Sequence, residues 1–114
     1  MDRQLPQVAA SDALILASSG SGWLLDVREQ PEWDRGHSPL ATLVPMTQLQ
    51  DRIGELPGDR RLLVICHSGR RSATVVGALV GAGYDAVNVA GGMLAWDAAG
   101  GDLVAVGPET PRVD

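Results

Sequence analysis

The chain has a single cysteine, Cys66, and no lysine; all nine of its basic residues are arginine. One cysteine excludes an internal disulfide, and it excludes a zinc or iron–sulfur site built from several thiolates. A lone thiol suits a reducing compartment. The missing lysine removes Schiff-base chemistry and any P-loop lysine. Long apolar runs are missing too: none approaches the roughly 18–20 residues of a membrane-spanning helix. The opening residues MDRQLPQVAA hold no apolar stretch of signal-peptide type. Positive charge is scarce, with 14 acidic residues against 9 basic ones. A net charge of −5 makes a poor nucleic-acid binder. These absences predict a soluble cytoplasmic protein that needs no metal or cofactor and binds neither membrane nor nucleic acid.

What is present is globular. Hydrophobic residues make up 45% and charged ones 20% of the 114 residues. That length predicts one domain, able to bury about two-thirds of the surface its unfolded chain exposes. No internal repeat or low-complexity tract interrupts it. Ser11 is placed to cap a short helix over 12–17. Trp23–Val27 reads as a strand, and Pro31 opens a helical turn through Trp33. Residues 42–45 are extended. Thr47 is placed to cap a helix through Leu56, with Leu49, Ile53 and Leu56 at helical spacing. Leu62–Cys66 is an unbroken apolar run, as expected of a strand covered on both faces. Helix 72–82 follows, ended by Gly83. Ala86–Ala90 is the next strand, and Gly91-Gly92 turns into a last helix over 93–99. Strands alternating with helices predict an α/β layer fold with a mainly parallel central sheet.

Cys66 ends the most apolar strand, at the edge where open α/β sheets bind ligands. His67, Ser68, Gly69, Arg70, Arg71 and the helix-opening Ser72 follow. A helix N-terminus leaves N–H groups unpaired and favours an anion. A tight loop around Gly69 can turn successive N–H groups inward. Two arginines add positive charge. All three favour a thiolate at Cys66. A lone cysteine ending a strand is otherwise a small core hydrophobe. A structural loop, however, has no need of Gly-Arg-Arg-Ser against a buried strand end.

The run from Cys66 to Ser72 resembles the active-site loop of the rhodanese (sulfurtransferase) family. Asp26-Val27-Arg28-Glu29 resembles the family's D-V-R-E element. Glu32-Trp33, then Gly36-His37-Ser38-Pro39 and Ala41, resemble its E-[YW]-x-x-G-H-I-P-G-A stretch. Gly83-Tyr84 resembles its G-Y step, and Gly91-Gly92-Met93 with Trp96 its G-G-M-x-x-W. Ser38 stands where the family usually has an aliphatic residue and Leu40 where it usually has glycine. The resemblance spans residues 5–100 and implies a three-layer rhodanese-like domain; from their own composition, with Pro108 and Pro111, residues 101–114 are expected to be a partly disordered tail whose LVAV segment can dock. It implies a two-step sulfur transfer. Cys66 takes sulfur from thiosulfate or a persulfide donor and passes it to cyanide, a small thiol or a sulfur-accepting protein.

Within that frame, Arg70 and Arg71 are candidates to hold an anionic donor. Adjacent side chains diverge, so one is expected in the site and one outside, with Arg70 preferred. Ser68 and Ser72 are candidate hydroxyl donors, Ser72 equally a plain N-cap. His67 follows the cysteine directly and is expected to face outward. Asp26 and Arg28 lie near another strand's carboxyl end and either border the pocket or form an ion pair or loop anchor, with Glu29 and Glu32 as candidate partners of Arg28. His37 is expected to hydrogen bond within its loop, and the three tryptophans to serve packing.

Two other functions compete. Cysteine phosphatases and arsenate reductases of related fold use C-x5-R; here Ser72 holds that arginine's place and Arg71 falls one residue short. The shorter loop suits a sulfur atom better than a phosphate. A persulfide carrier or regulatory binding module with little thiosulfate activity is the second alternative.

Overall fold

The computed structural model describes residues 5–114. The first four residues of the stretch read for a leader lie outside it. Five strands form one sheet: β1 (Gln7–Val8), β2 (Trp23–Asp26), β3 (Ala41–Leu43), β4 (Leu62–Ile65) and β5 (Ala86–Val89). Their order is β1-β5-β4-β2-β3, and all four pairings are parallel. The helices are α1 (Ala10–Ser18), α2 (Gln30–Arg35), α3 (Leu49–Arg52), α4 (Arg70–Gly81) and α5 (Gly92–Ala98).

Alternation along the strands splits the core into two layers. Leu62 and Val64 of β4 face α3 and α4, meeting Leu49, Val75, Val76 and Leu79. Leu63 and Ile65 face α1 and α5, meeting Ala13, Met93 and Trp96. This double cover is why β4 reads as a continuous apolar run. The chain leaves β2 toward β3 on one side and β4 toward β5 on the other. The carboxyl ends of β2 and β4 therefore flank a topological switch point, where such sheets open a crevice. Cys66 stands one residue beyond β4, and its side chain is on the α4 face.

Several local expectations need correction. The N-cap of α1 is Ala9, so Ser11 lies inside the first turn. The helix expected from Thr47 to Leu56 is instead a 3-10 turn (Met46–Gln48), the one-turn α3 and a second 3-10 turn (Ile53–Glu55). Gly54 in this stretch weakens a continuous helix. Thr47 caps nothing and donates its hydroxyl to the Glu29 carboxylate at 3.0 Å. β1 was not anticipated. Ser72 is not an N-cap: α4 begins two residues earlier, and Gly69 takes that position.

The two departures from the family pattern meet in one turn. Ser38, 1% exposed, accepts the Leu40 N–H on its hydroxyl at 3.1 Å. No described residue other than glycine has a positive φ, so Leu40 adopts an ordinary backbone. The C-terminal segment runs back along α2. Val104 and His37 exchange backbone hydrogen bonds at 2.8 and 2.9 Å, and Arg112 N–H donates to Arg35 O at 2.9 Å. Among the described residues, no helix is long and apolar enough to cross a membrane.

Candidate active site

The loop after β4 curls its backbone around its own cysteine. Gly69 has φ +101°, a left-handed conformation that glycine adopts without strain. That conformation aims the Gly69 N–H at Cys66 Sγ, 3.1 Å away. Ser72, in the first turn of α4, places its hydroxyl oxygen 3.2 Å from the same sulfur. The outer side of the loop is held by α5. The N–H groups of Met93 and Leu94 donate to the carbonyls of Cys66 and His67 at 2.8 and 3.2 Å. This leaves the loop's carbonyls turned outward and its N–H groups turned inward. Gly92, with φ +57°, makes the approach possible: a Cβ there would run into the Cys66 carbonyl.

Cys66 is 1% exposed. Burial pushes the thiol up. The Ser72 hydroxyl and the backbone N–H groups of Ser72, Gly69 and Ser68 outweigh it and hold the thiol below its ordinary value. The expected thiolate environment is therefore built from the helix start and the inward amides. The arginines contribute less than the sequence suggests, because the Glu32 carboxylate offsets the charge of Arg71.

Arg71 forms a two-pronged ion pair with Glu32 of α2, at 2.8 and 2.7 Å. The same Glu32 accepts the Glu29 N–H at 3.1 Å, closing the start of α2. The guanidinium beside it holds the Glu32 carboxyl down at about 2. Arg71 is raised above the ordinary arginine value, chiefly by Glu32 and more weakly by the Cys66 thiolate and Asp26. Arg70 and Ser68 are exposed, and His67 is half-buried. Arg71 is thus tied across to α2 with its charge coupled to the Cys66 thiolate, while Arg70 is exposed.

Asp26 and Arg28 are buried behind α2 at 0% and 1% exposure. Arg28 Nη2 and Nε donate to Asp26 at 2.8 and 3.0 Å, and Nη2 also donates to Gly36 O at 2.8 Å. The ion pair is thus with Asp26, and neither Glu29 nor Glu32 supplies a carboxylate to Arg28. His37 donates from Nδ1 to Trp33 O at 2.7 Å and stacks on the Trp33 ring. Its role is within its own loop.

Sequence reasoning missed Asn88. It is the one polar residue of β5, 6% exposed, on the α4 face. Its Oδ1 lies 2.6 Å from Ser72 Oγ, and its Nδ2 donates to Gly69 O at 3.1 Å. The available signal was an asparagine inside an otherwise apolar strand. Among the described residues, no cluster of His, Cys, Asp or Glu is arranged to hold a metal ion.

Comparison with known proteins agrees with this geometry. The rhodanese-like domain model matches residues 11–99. A putative sulfurtransferase, YtwF, of Bacillus subtilis is 39% identical over 75 residues, covering 66% of this chain and 73% of its own. A sulfurtransferase of Allochromatium vinosum is 36% identical over 91 residues, covering 79% and 85%. The crystal structure of a rhodanese-related protein from Thermoplasma volcanium superposes with a TM-score of 0.81 at 30% identity, covering 87% of this chain and 97% of that one. With its parallel five-stranded sheet and its cysteine loop at the switch point, the chain belongs to the rhodanese-like domain family.

Proposed function

We propose that this protein is a sulfurtransferase that carries sulfane sulfur on Cys66. The observation that carries this reading is the convergence of amide and hydroxyl donors on one buried sulfur, at the carboxyl edge of the sheet. Such a ring stabilises an anion with little cost of reorganisation. The thiolate attacks the outer sulfur of thiosulfate. A sulfur–sulfur bond forms to Cys66, the sulfur–sulfur bond of thiosulfate breaks, and sulfite leaves with the electron pair. The persulfide anion stays beside the same donors. A thiophilic acceptor (cyanide, a small thiol or a protein thiol) then removes the outer sulfur. With one cysteine in the chain, the accepting thiol comes from another molecule.

Of the two loop arginines, Arg71 is assigned the steadying of the incoming anion, because its charge is coupled to the Cys66 thiolate. Glu32 holds it in a two-pronged pair and offsets part of its charge. Phosphate chemistry is disfavoured by the C-x4-R spacing of Cys66 and Arg71.

Mass spectrometry after incubation with thiosulfate tests the reading. One added sulfur on Cys66, discharged by cyanide and absent in Cys66→Ser, is expected. If the wild type takes sulfur only from a persulfide donor, the protein is a carrier and not a thiosulfate enzyme. If it takes sulfur from neither, the reading fails.

A further inference from the structure

Asn88 sits too far from Cys66 in sequence to be read as part of its loop, yet its amide touches two pieces of that loop. The orientation of the amide follows from its partners. Gly69 O can only accept, so the nitrogen of Asn88 must face it. The oxygen then faces Ser72, and at 2.6 Å Ser72 must donate to it. A serine hydroxyl has one proton. While that proton is on Asn88, Ser72 can only accept from Cys66, and a protonated Cys66 supplies the S–H to fill that role. When Cys66 ionises, its proton leaves for solvent and the sulfur needs donors. The Ser72 hydroxyl then rotates its proton from Asn88 to Sγ, 3.2 Å away. A hydrogen bond to an anion is roughly twice as strong as one to a neutral amide, so the rotation is downhill.

We propose that Asn88 is a positioning residue for Cys66, holding the Ser72 proton while the sulfur is protonated and yielding it when the sulfur ionises. The inference rests on the sulfur-transfer reading for its purpose. Because the bond to Asn88 is given up, Ser72 stabilises the thiolate less than an unopposed hydroxyl would. That restraint matters to a nucleophile, since thiolate reactivity falls as its pKa falls.

Few charges compete with this device. On α4, Arg71 is paired with Glu32 of α2 and couples weakly to Cys66; Arg70 is exposed. On β2, Asp26 is buried against Arg28. His67 adjoins Cys66 in the loop. β5 carries no titratable residue, and Asp97 of α5 is exposed. Removing the Asn88 amide leaves Gly69 O still bonded to Ala73 N–H at 3.3 Å.

The test is the pH midpoint of Cys66 alkylation by iodoacetamide, in wild type, Asn88→Leu, Ser72→Ala and the double variant, with circular dichroism to confirm folding. Asn88→Leu is expected to lower the midpoint by roughly 0.5–1 pH unit, the size of one hydrogen bond. Ser72→Ala is expected to raise it, and in the double variant the Asn88→Leu shift is expected to vanish. A shift that persists without Ser72, or no downward shift at all, overturns the proposal. Should Asn88→Leu not fold, Asn88→Asp replaces it. A stronger acceptor must then raise the midpoint more with Ser72 present than with Ser72→Ala, and equal shifts overturn the proposal. Sulfur loading, read by mass on the same samples, is independent of these midpoints. If the function reading alone is wrong, the midpoints move as stated while Cys66 takes no sulfur.

Discussion

Two neighbouring strands of the sheet end in arginine-bearing segments, and the two segments do opposite things. After β2, Arg28 is consumed: its guanidinium is spent on Asp26 and on backbone carbonyls, and nothing is left for a ligand. After β4, the donors of the Cys66 loop point inward at a single sulfur. The two segments share a position at the carboxyl edge, a buried polar group and a nearby helix start. They differ in whether the donors have already found partners in the protein. Charge near a crevice is therefore a weak marker of a site, and donors focused on a reactive atom are a strong one.

The contrast can be broken from the β2 side first, where the largest effect is expected. Arg28→Ala leaves the Asp26 carboxylate buried without its cation. That should cost about 3–5 kcal/mol of stability, read as a lower urea midpoint at neutral pH. Arg28 would be an idle passenger if the midpoint did not move. On the β4 side, Gly92→Ala forces a side chain into a left-handed position against the Cys66 carbonyl. Strain and overpacking together should cost roughly 2–4 kcal/mol. The alkylation midpoint of Cys66 should also rise, as the loop N–H groups lose their aim.

A finer comparison sets the adjacent loop arginines against each other. Arg71→Ala is expected to raise KM for thiosulfate roughly tenfold to a hundredfold, about 1.5–3 kcal/mol of a charge-assisted contact. Arg70→Ala should change it far less. Equal effects would mean that neither grips the donor specifically. The smallest effect concerns Glu32. Its folded-state pKa, about 2, lies below the ordinary 4.5. Its contribution to stability is therefore complete above pH 4.5 and lost as pH falls toward 2. The pair is partly exposed, so about 1 kcal/mol or less is expected after solvent screening. The stability gap between wild type and Glu32→Gln should be constant above pH 5 and shrink below it. A gap that stays flat to pH 2 would remove the ion pair from consideration.

Legibility in the sequence followed the range of the physics. β4 and α4 were readable because burial on both faces writes itself as an unbroken apolar run and because Gly83 punctuates the helix end. The Cys66 loop was readable because its donors are local: Gly69 and Ser72 lie within six residues of the sulfur. β1 was not readable, since the two residues Gln7 and Val8 have no period to detect. The segment after Thr47 was over-read as one helix, because apolar spacing continued through a stretch that Gly54 and the 3-10 turns break up. The Arg71–Glu32 pair spans 39 residues, and the Asn88–Ser72 contact spans 16. Both depend on which elements the sheet order brings side by side.

The return of the chain along α2 has a mechanical consequence. Val104, Val106 and Arg112 hydrogen bond to His37, Asp34 and Arg35, and Gly36 lies directly against the Arg112 backbone. Gly36 is also a carbonyl that Arg28 holds, and α2 carries Glu32, which holds Arg71. The final residues thus act as a brace whose load path ends at the sulfur loop. Cutting the chain after Gly101 would remove Leu103 and Val113 from the core layer they pack against and at the same time slacken α2 and its Glu32–Arg71 pair.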